Sequence, residues 1–165
     1  LINNSLPELN LKEINTTTKF LGKKLNLPLT IAAITGGTKE AKQINKDLAE
    51  VAERKGIGFS LGSQRAMIEN PKLKDTYYVR DVAPHTLLFG NIGIFQLKEL
   101  DIKQIENALK YVKADALCVH INPAQEIFQK EGDSDFKGSI TSLKKLCDEL
   151  DYPVIGKEVG FGELI

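Results

Sequence analysis

The feature that most constrains this chain is a recurrence of short apolar runs: Leu29 to Ile34, Ile57 to Leu61, Thr86 to Phe89, Ala116 to Ile121 and Val154 to Ile155. Each has the length of one strand and lacks the alternating polar positions of a half-wet one, so each reads as a buried parallel strand. Helical patterns lie between them. "KEAKQINKDLAEVAERKG" sets Ala41, Ile44, Leu48 and Val51 at helical spacing and stops at Gly56. Ile102 to Val112 turns Ile102, Ile105, Leu109 and Val112 to one side, and Ile140 to Leu150 does the same with Leu143, Leu146 and Leu150. "MIENP" leaves room only for a short helical turn before Pro71. Strand starts recur at roughly thirty residues, the length of a strand, a crossover helix and a return. The expected class is α/β with a parallel sheet, a single domain over 1–165 with an irregular lead-in, "LPELNLKEINTTTKFLGKKLNLP".

Composition limits the partners. With 165 residues, 42% hydrophobic, the chain can bury a core of its own. Twenty-two basic residues balance 22 acidic ones without long blocks of either sign, which argues against nucleic acid or an anionic membrane and for a small partner. Cys118 and Cys147 lie on apolar patterns with no CxxC, so both are expected to be buried thiols in a reducing compartment. No run approaches the ~20 apolar residues of a membrane span, and no secretory pattern opens the sequence. A cytoplasmic location is expected. The first residue is Leu1 rather than Met, so residues upstream are expected too.

Every proposed strand runs into a polar or glycine-rich turn: Thr35-Gly36-Gly37, Gly62-Ser63-Gln64-Arg65, Gly90-Asn91-Ile92-Gly93, His120-Ile121-Asn122 and Lys157-Glu158. In a parallel sheet these ends share one rim, which is where α/β folds bind ligands. The glycines of "TGG" allow close backbone approach to a ligand, or simply a turn before a helix. In "GSQRA" the hydroxyl, amide and guanidinium suit a phosphate, with a helix cap and a surface Arg as the plainer reading. "HINPAQE" is the densest cluster. His120 and Asn122 share one side of a strand, and Pro123 turns the chain out so that Gln125 and Glu126 return over the rim. Glu126 is a candidate oxygen ligand for Mg²⁺, which takes one or two carboxylates beside water and substrate phosphates. Lys157 emerges at a strand end, toward an anion or a flavin ring, or pairs with Glu158. His85, ahead of its strand, falls on the opposite rim and reads as structural.

Read in order, "AAITGGT", "GFSLGSQRA", "GNIG", "ADALCVHINPAQEIFQ", "EGD" and "KEVGFG" resemble type 2 isopentenyl diphosphate isomerase, a family of FMN-dependent TIM (β/α)8 barrels that converts isopentenyl to dimethylallyl diphosphate in isoprenoid biosynthesis. The resemblance runs from Pro28 to Gly162. It implies that Ile34, Thr35, Gly36, Gly37, Ser63, Asn91 and Lys157 line FMN, and that Ser63, Gln64, Arg65 and Gln125 approach the substrate diphosphate. It further implies that His120, Asn122 and Gln125 border the reacting isoprenoid and that Glu126 holds Mg²⁺, with NADPH as reductant and a homo-oligomer of four or more chains. A full barrel needs ~200 to 250 residues, so about the N-terminal half is expected here, without the strand 7 and 8 phosphate site and without the family's basic N-terminal motif. "ELI" departs from the family's continuation after "VGFG", and Lys130 stands where a Pro often precedes "EGD". Two other readings stay open: another FMN-dependent barrel oxidoreductase, such as a 2-hydroxy acid oxidase, and a non-catalytic ligand-binding half-barrel whose sheet edges need a partner.

Overall fold

A computed structural model describes residues 5–130, 132 and 134–159. The expected irregular lead-in contains a short antiparallel hairpin, β1 (Thr18–Phe20) and β2 (Lys23–Leu25), closed by Leu21 and Gly22 at positive φ. Its apolar alternation is too short to register in the sequence. Five parallel strands follow: β3 (Thr30–Ile31), β4 (Gly58–Ser60), β5 (Leu88–Gly93), β6 (Ala116–Ile121) and β7 (Val154–Glu158). They lie side by side in chain order.

That order decides the architecture. Right-handed crossovers between strands that advance always in one direction put every helix on the same face of the sheet. A doubly wound sheet would reverse direction and cover both faces. Here the sheet curls into about half of a barrel.

Helices α1 (Lys39–Lys55), α2 (Arg65–Glu69), α3 (Ile102–Val112), α4 (Pro123–Phe128) and α5 (Ser139–Glu149) fill the connections. Thr38 caps α1 by accepting from the Ala41 amide, and Asp101 and Gln104 form a reciprocal capping box on α3. The outer face of the sheet, with Phe59, Leu61, Leu88, Ile92, Leu117 and Val119, packs on α1 and α3 as the main core. In α1 the buried positions are Ala41, Asn45, Ala49 and Ala52, while Ile44 is largely exposed. The inward face is thus rotated from the expected one, because a seam of alanines lets the helix lie close to the sheet. A smaller cluster of Leu25, Leu87, Phe89, Ala116 and Cys118 occupies the inner face near the strand starts, where Phe20 of the hairpin meets Phe89 at a ring separation of 6.3 Å. Cys118 is buried as expected. Cys147 is not: it lies on the exposed side of α5, which buries only a narrow stripe around Leu146.

Candidate active site

β5 and β6 deliver the first group of side chains. The expected strand stopped at Phe89, but β5 runs on through Gly90, Asn91, Ile92 and Gly93, because the glycines pair with β6 instead of turning. With a two-residue period Phe89, Asn91 and Gly93 face inward, and so do Ala116, Cys118 and His120 on β6. Register then sets Gly93 beside His120 and His120 beside Lys157 of β7. Three residues expected at the site therefore stand on three adjacent strands of one inner face. The same alternation sends Lys157 and Glu158 to opposite faces, which disfavours the alternative of an ion pair between them.

His120 Nδ1 lies 3.0 Å from Asn91 Oδ1. Asn91 Nδ2 donates to the Leu61 carbonyl at 3.1 Å, and the Asn91 amide donates to Gln64 Oε1 at 3.2 Å. Burial lowers the pKa of His120, the Lys157 ammonium lowers it further, and Glu126 opposes them. The imidazole is accordingly neutral at pH 7. Burial raises the pKa of the Cys118 thiol, with Lys157 and Ser60 acting the other way, so Cys118 stays protonated.

Pro123 starts α4 directly after β6 and carries Gln125 and Glu126 back over the strand end. Asn122 Nδ2 donates to Glu126 Oε1 at 2.6 Å, while the buried Asn122 Oδ1 has no partner. Gln125 is exposed at the rim. Arg65, opening α2, pairs with Glu69 at 2.6 Å; that bond raises its pKa first, and Glu99 and Glu126 add to it from across the rim. Glu126 thus acts electrostatically on both His120 and Arg65, which ties the "GSQRA" and "HINPAQE" segments to one region. Among the described residues no three His, Cys, Asp or Glu side chains group as a metal site. Glu131, Asp133 and the "GFG" of the last motif lie outside the described residues.

Gln64 takes a different position from the one expected. Its side chain is fully buried on the helix side of the sheet, with Nε2 donating to the Ala108 carbonyl and to Met67 Sδ, both at 3.4 Å. Gly90 makes the slot: a Cβ there would lie 2.5 Å from Gln64 Oε1 and 2.2 Å from a Leu109 methyl. Gln64 consequently braces Asn91 rather than reaching the rim. The "TGG" glycines also have reasons within the protein. A Cβ on Gly36 would sit 2.1 Å from the Tyr77 ring, whose hydroxyl donates to the Ser63 carbonyl at 2.9 Å. Gly37 has φ of 88° and donates its amide to Thr76 Oγ1. Thr35 meets Gly62 backbone to backbone, and its carbonyl accepts from Asn45 Nδ2. The Ile34 side chain is exposed.

Sequence reasoning missed Tyr77, Asn45 and Ser60. A polar residue on the inward side of an otherwise apolar helix was the available signal for Asn45. Ser60, with its buried Oγ lacking an oxygen or nitrogen partner, shares the inner face with Cys118. "TYY" carried no spacing that would single out Tyr77.

These features define a (β/α) barrel, about half of it present, with its polar side chains gathered where the strands exit. Two solved structures of one mandelate oxidase mutant, each bearing a different FMN adduct, have this fold, with TM-scores of 0.59 and 0.55 at 12% and 13% identity; the first match covers 97% of this chain and 48% of that one. No family model matches the chain. It is 44% identical over 98% of its length to an isopentenyl-diphosphate delta-isomerase of Pyrococcus abyssi, and 46% identical over 96% to one of Deinococcus radiodurans. It covers 46% and 47% of those proteins, respectively. The chain is a homologue of the isopentenyl-diphosphate delta-isomerases and spans about half the length of these curated relatives.

Proposed function

We propose that this chain forms the N-terminal half of a type 2 isopentenyl diphosphate isomerase, which moves the double bond of isopentenyl diphosphate to give dimethylallyl diphosphate. The observation that carries the reading is the convergence of Asn91, His120 and Lys157 on one inner face beneath a rim bearing Ser63, Arg65, Asn122, Gln125 and Glu126. The activity belongs to the complete protein. The likeness to mandelate oxidase supports the fold alone and gives no preference for hydride chemistry.

The residues fit FMN. The inner face offers a small group at Cys118, the buried Ser60 hydroxyl without an oxygen or nitrogen partner, and polar atoms of Asn91, His120 and Lys157 along one side. Ser63 and the backbone of Ile34 to Gly37 border the same opening. When bound in its reduced form, with NADPH as reductant, FMN supplies proton exchange at the alkene without net oxidation. Lys157 contributes positive charge against an anionic ring edge. Asn91, fixed by the Leu61 carbonyl and Gln64, orients its neighbours.

On the rim, Arg65 and Ser63 hold the diphosphate, with the Arg65 fork turning from Glu69 to phosphate oxygens. Glu126 fits Mg²⁺ as its single protein carboxylate, since the remaining oxygens come from water and the diphosphate. Asn122 holds one oxygen of that carboxylate still. His120, Asn122 and Gln125 border the isoprenoid and present hydrogen-bonding groups to it; an amide such as Gln125 cannot serve as the base by itself. A cytoplasmic homo-oligomer completes the proposal.

The test uses the full-length protein with isopentenyl diphosphate, FMN, Mg²⁺ and NADPH. Formation of dimethylallyl diphosphate is expected, and its absence rejects the reading.

A further inference from the structure

The hydrogen bonds of Asn91 fix something about His120 that the fold alone does not. An amide side chain is ambiguous until one end meets a partner that can only donate or only accept. The Leu61 carbonyl only accepts, so the Asn91 atom 3.1 Å from it is Nδ2. The opposite end is then the oxygen, and it faces His120 Nδ1 at 3.0 Å. An oxygen acceptor there requires a hydrogen on Nδ1.

The orientation of the ring follows from the glycine further along β5. A Cβ on Gly93 would lie 2.0 Å from Gln96 Oε1 and 2.8 Å from His120 Nε2, so Nε2 sits over Gly93 on the side where the Gln96 amide also lies, while Nδ1 sits over Asn91. Gly93 is two residues nearer the strand exit. Nε2 therefore points to the rim and Nδ1 to the floor.

We propose that Asn91 is a positioning residue that holds the His120 proton on Nδ1 and leaves the Nε2 lone pair, over Gly93, as the acceptor offered to the ligand. His120 then takes a hydrogen bond from an N–H or O–H group of the bound molecule and does not donate one to a phosphate oxygen. Gln64 and Gly90 extend the device to the helix layer, because Gln64 Oε1 accepts the Asn91 amide in the slot that Gly90 leaves. The charged groups acting on the imidazole are Lys157 from β7 and Glu126 from α4, and burial together with Lys157 keeps it neutral. For its place in a reaction the inference rests on the isomerase reading, but the tautomer itself does not.

The experiment is nitrogen NMR of histidine-labelled full-length protein near pH 7.5, with the His120 signals assigned by their loss in His120→Gln. A protonated Nδ1 and an unprotonated Nε2 are expected. Asn91→Leu removes the acceptor, so the proton should move to Nε2 and kcat should fall about tenfold, the equivalent of one lost hydrogen bond, with KM less affected. Asn91→Asp retains an oxygen for Nδ1, so it should keep the tautomer and raise the His120 pKa, displacing the pH profile to higher pH. An Nε2–H tautomer in the unsubstituted protein overturns the inference, and so does an unchanged tautomer in a folded Asn91→Leu. If Asn91→Leu does not fold, the spectrum of the unsubstituted protein still decides. A protein with the expected tautomer and no isomerase activity would instead refute the functional reading.

Discussion

The two ends of this half-barrel are built on opposite principles. At the strand starts one oxygen, Asp115 Oδ2, accepts from Lys23 Nζ at 2.8 Å, Arg80 Nη2 at 2.9 Å and the Leu88 amide at 2.8 Å. Arg80 also donates to the carbonyls of Ala83, Thr86 and Lys113. Glu53 Oε2, at the end of α1, accepts from the amides of His85 and Thr86 and from the Thr86 hydroxyl. Both clusters close on the protein itself. At the strand exits the pattern reverses. Four buried side-chain oxygens have no oxygen or nitrogen partner among the described residues: Asn45 Oδ1, Ser60 Oγ, Asn122 Oδ1 and Ser139 Oγ. Each belongs to a strand end, to the residue after one, or to the early turns of the helix that follows. Buried polar groups are normally satisfied, so the imbalance separates an end that holds the fold from an end that keeps capacity for a ligand, as in barrel enzymes generally.

The largest effect should come from breaking the satisfied end. Asp115→Ala leaves Arg80, whose side chain is only 8% exposed, and the Leu88 amide without their acceptor. The loss of stability should be about 3 kcal/mol, the low end for a broken buried pair because Asp115 itself is partly exposed. Thermal or denaturant unfolding of the full-length protein measures it. A loss below about 1 kcal/mol would mean that the hairpin and β5 are held without this ion cluster.

Glu53→Gln tests the second anchor. Burial alone would raise the Glu53 pKa, yet the donors from Thr86 and His85 outweigh it and bring the pKa below the ordinary carboxylate range. A carboxylate with a lowered folded pKa stabilises the fold above its unfolded pKa, and that contribution disappears as pH falls through the folded value. Glu53→Gln should cost about 1 to 2 kcal/mol at pH 7 and flatten the acid side of the stability profile. A steep acid limb that survives the substitution would place the titrating group elsewhere.

A rim substitution sharpens the contrast. Asn122→Ala removes a buried oxygen that has no partner, together with the brace on Glu126. Stability should change by less than about 1 kcal/mol, while the Mg²⁺ concentration needed for half-maximal turnover should rise. A stability loss as large as that of Asp115→Ala would abolish the distinction between the two ends.

The same contrast explains what was legible in the sequence. The expected bounds of β6 hold, and α3 agrees closely, because Ile105, Leu109 and Val112 are buried for the reason their spacing declares. Asn91, His120 and Lys157 could be placed on one rim because strand period and register follow from apolar runs. The closed end was not legible. Asp115, Lys23 and Arg80 are joined by pairings 35 and 92 residues apart, and isolated charges in a chain carry no mark of their partners. Gln64 was misplaced for a related reason, since the slot at Gly90 arises only when α3 packs on β5. The β1–β2 hairpin was missed because its apolar positions find their neighbours in β5, not in each other.

The smallest effect concerns His120 and proton linkage. Its folded pKa lies below the ordinary 6.5 because burial and Lys157 disfavour the imidazolium. The unfolded chain therefore binds the proton first as pH falls, and by linkage stability is full above about pH 6.5 and declines as pH drops toward the folded pKa. His120→Gln should remove this part of the decline, leaving a shallower stability curve just below pH 6.5 in unfolding measurements on the full-length protein. The Glu53 contribution, which is lost only at lower pH, should be unaffected by that substitution. A curve of unchanged slope in His120→Gln would show that the strand-exit end contributes nothing to acid sensitivity, and that the difference between the two ends is one of hydrogen bonding alone.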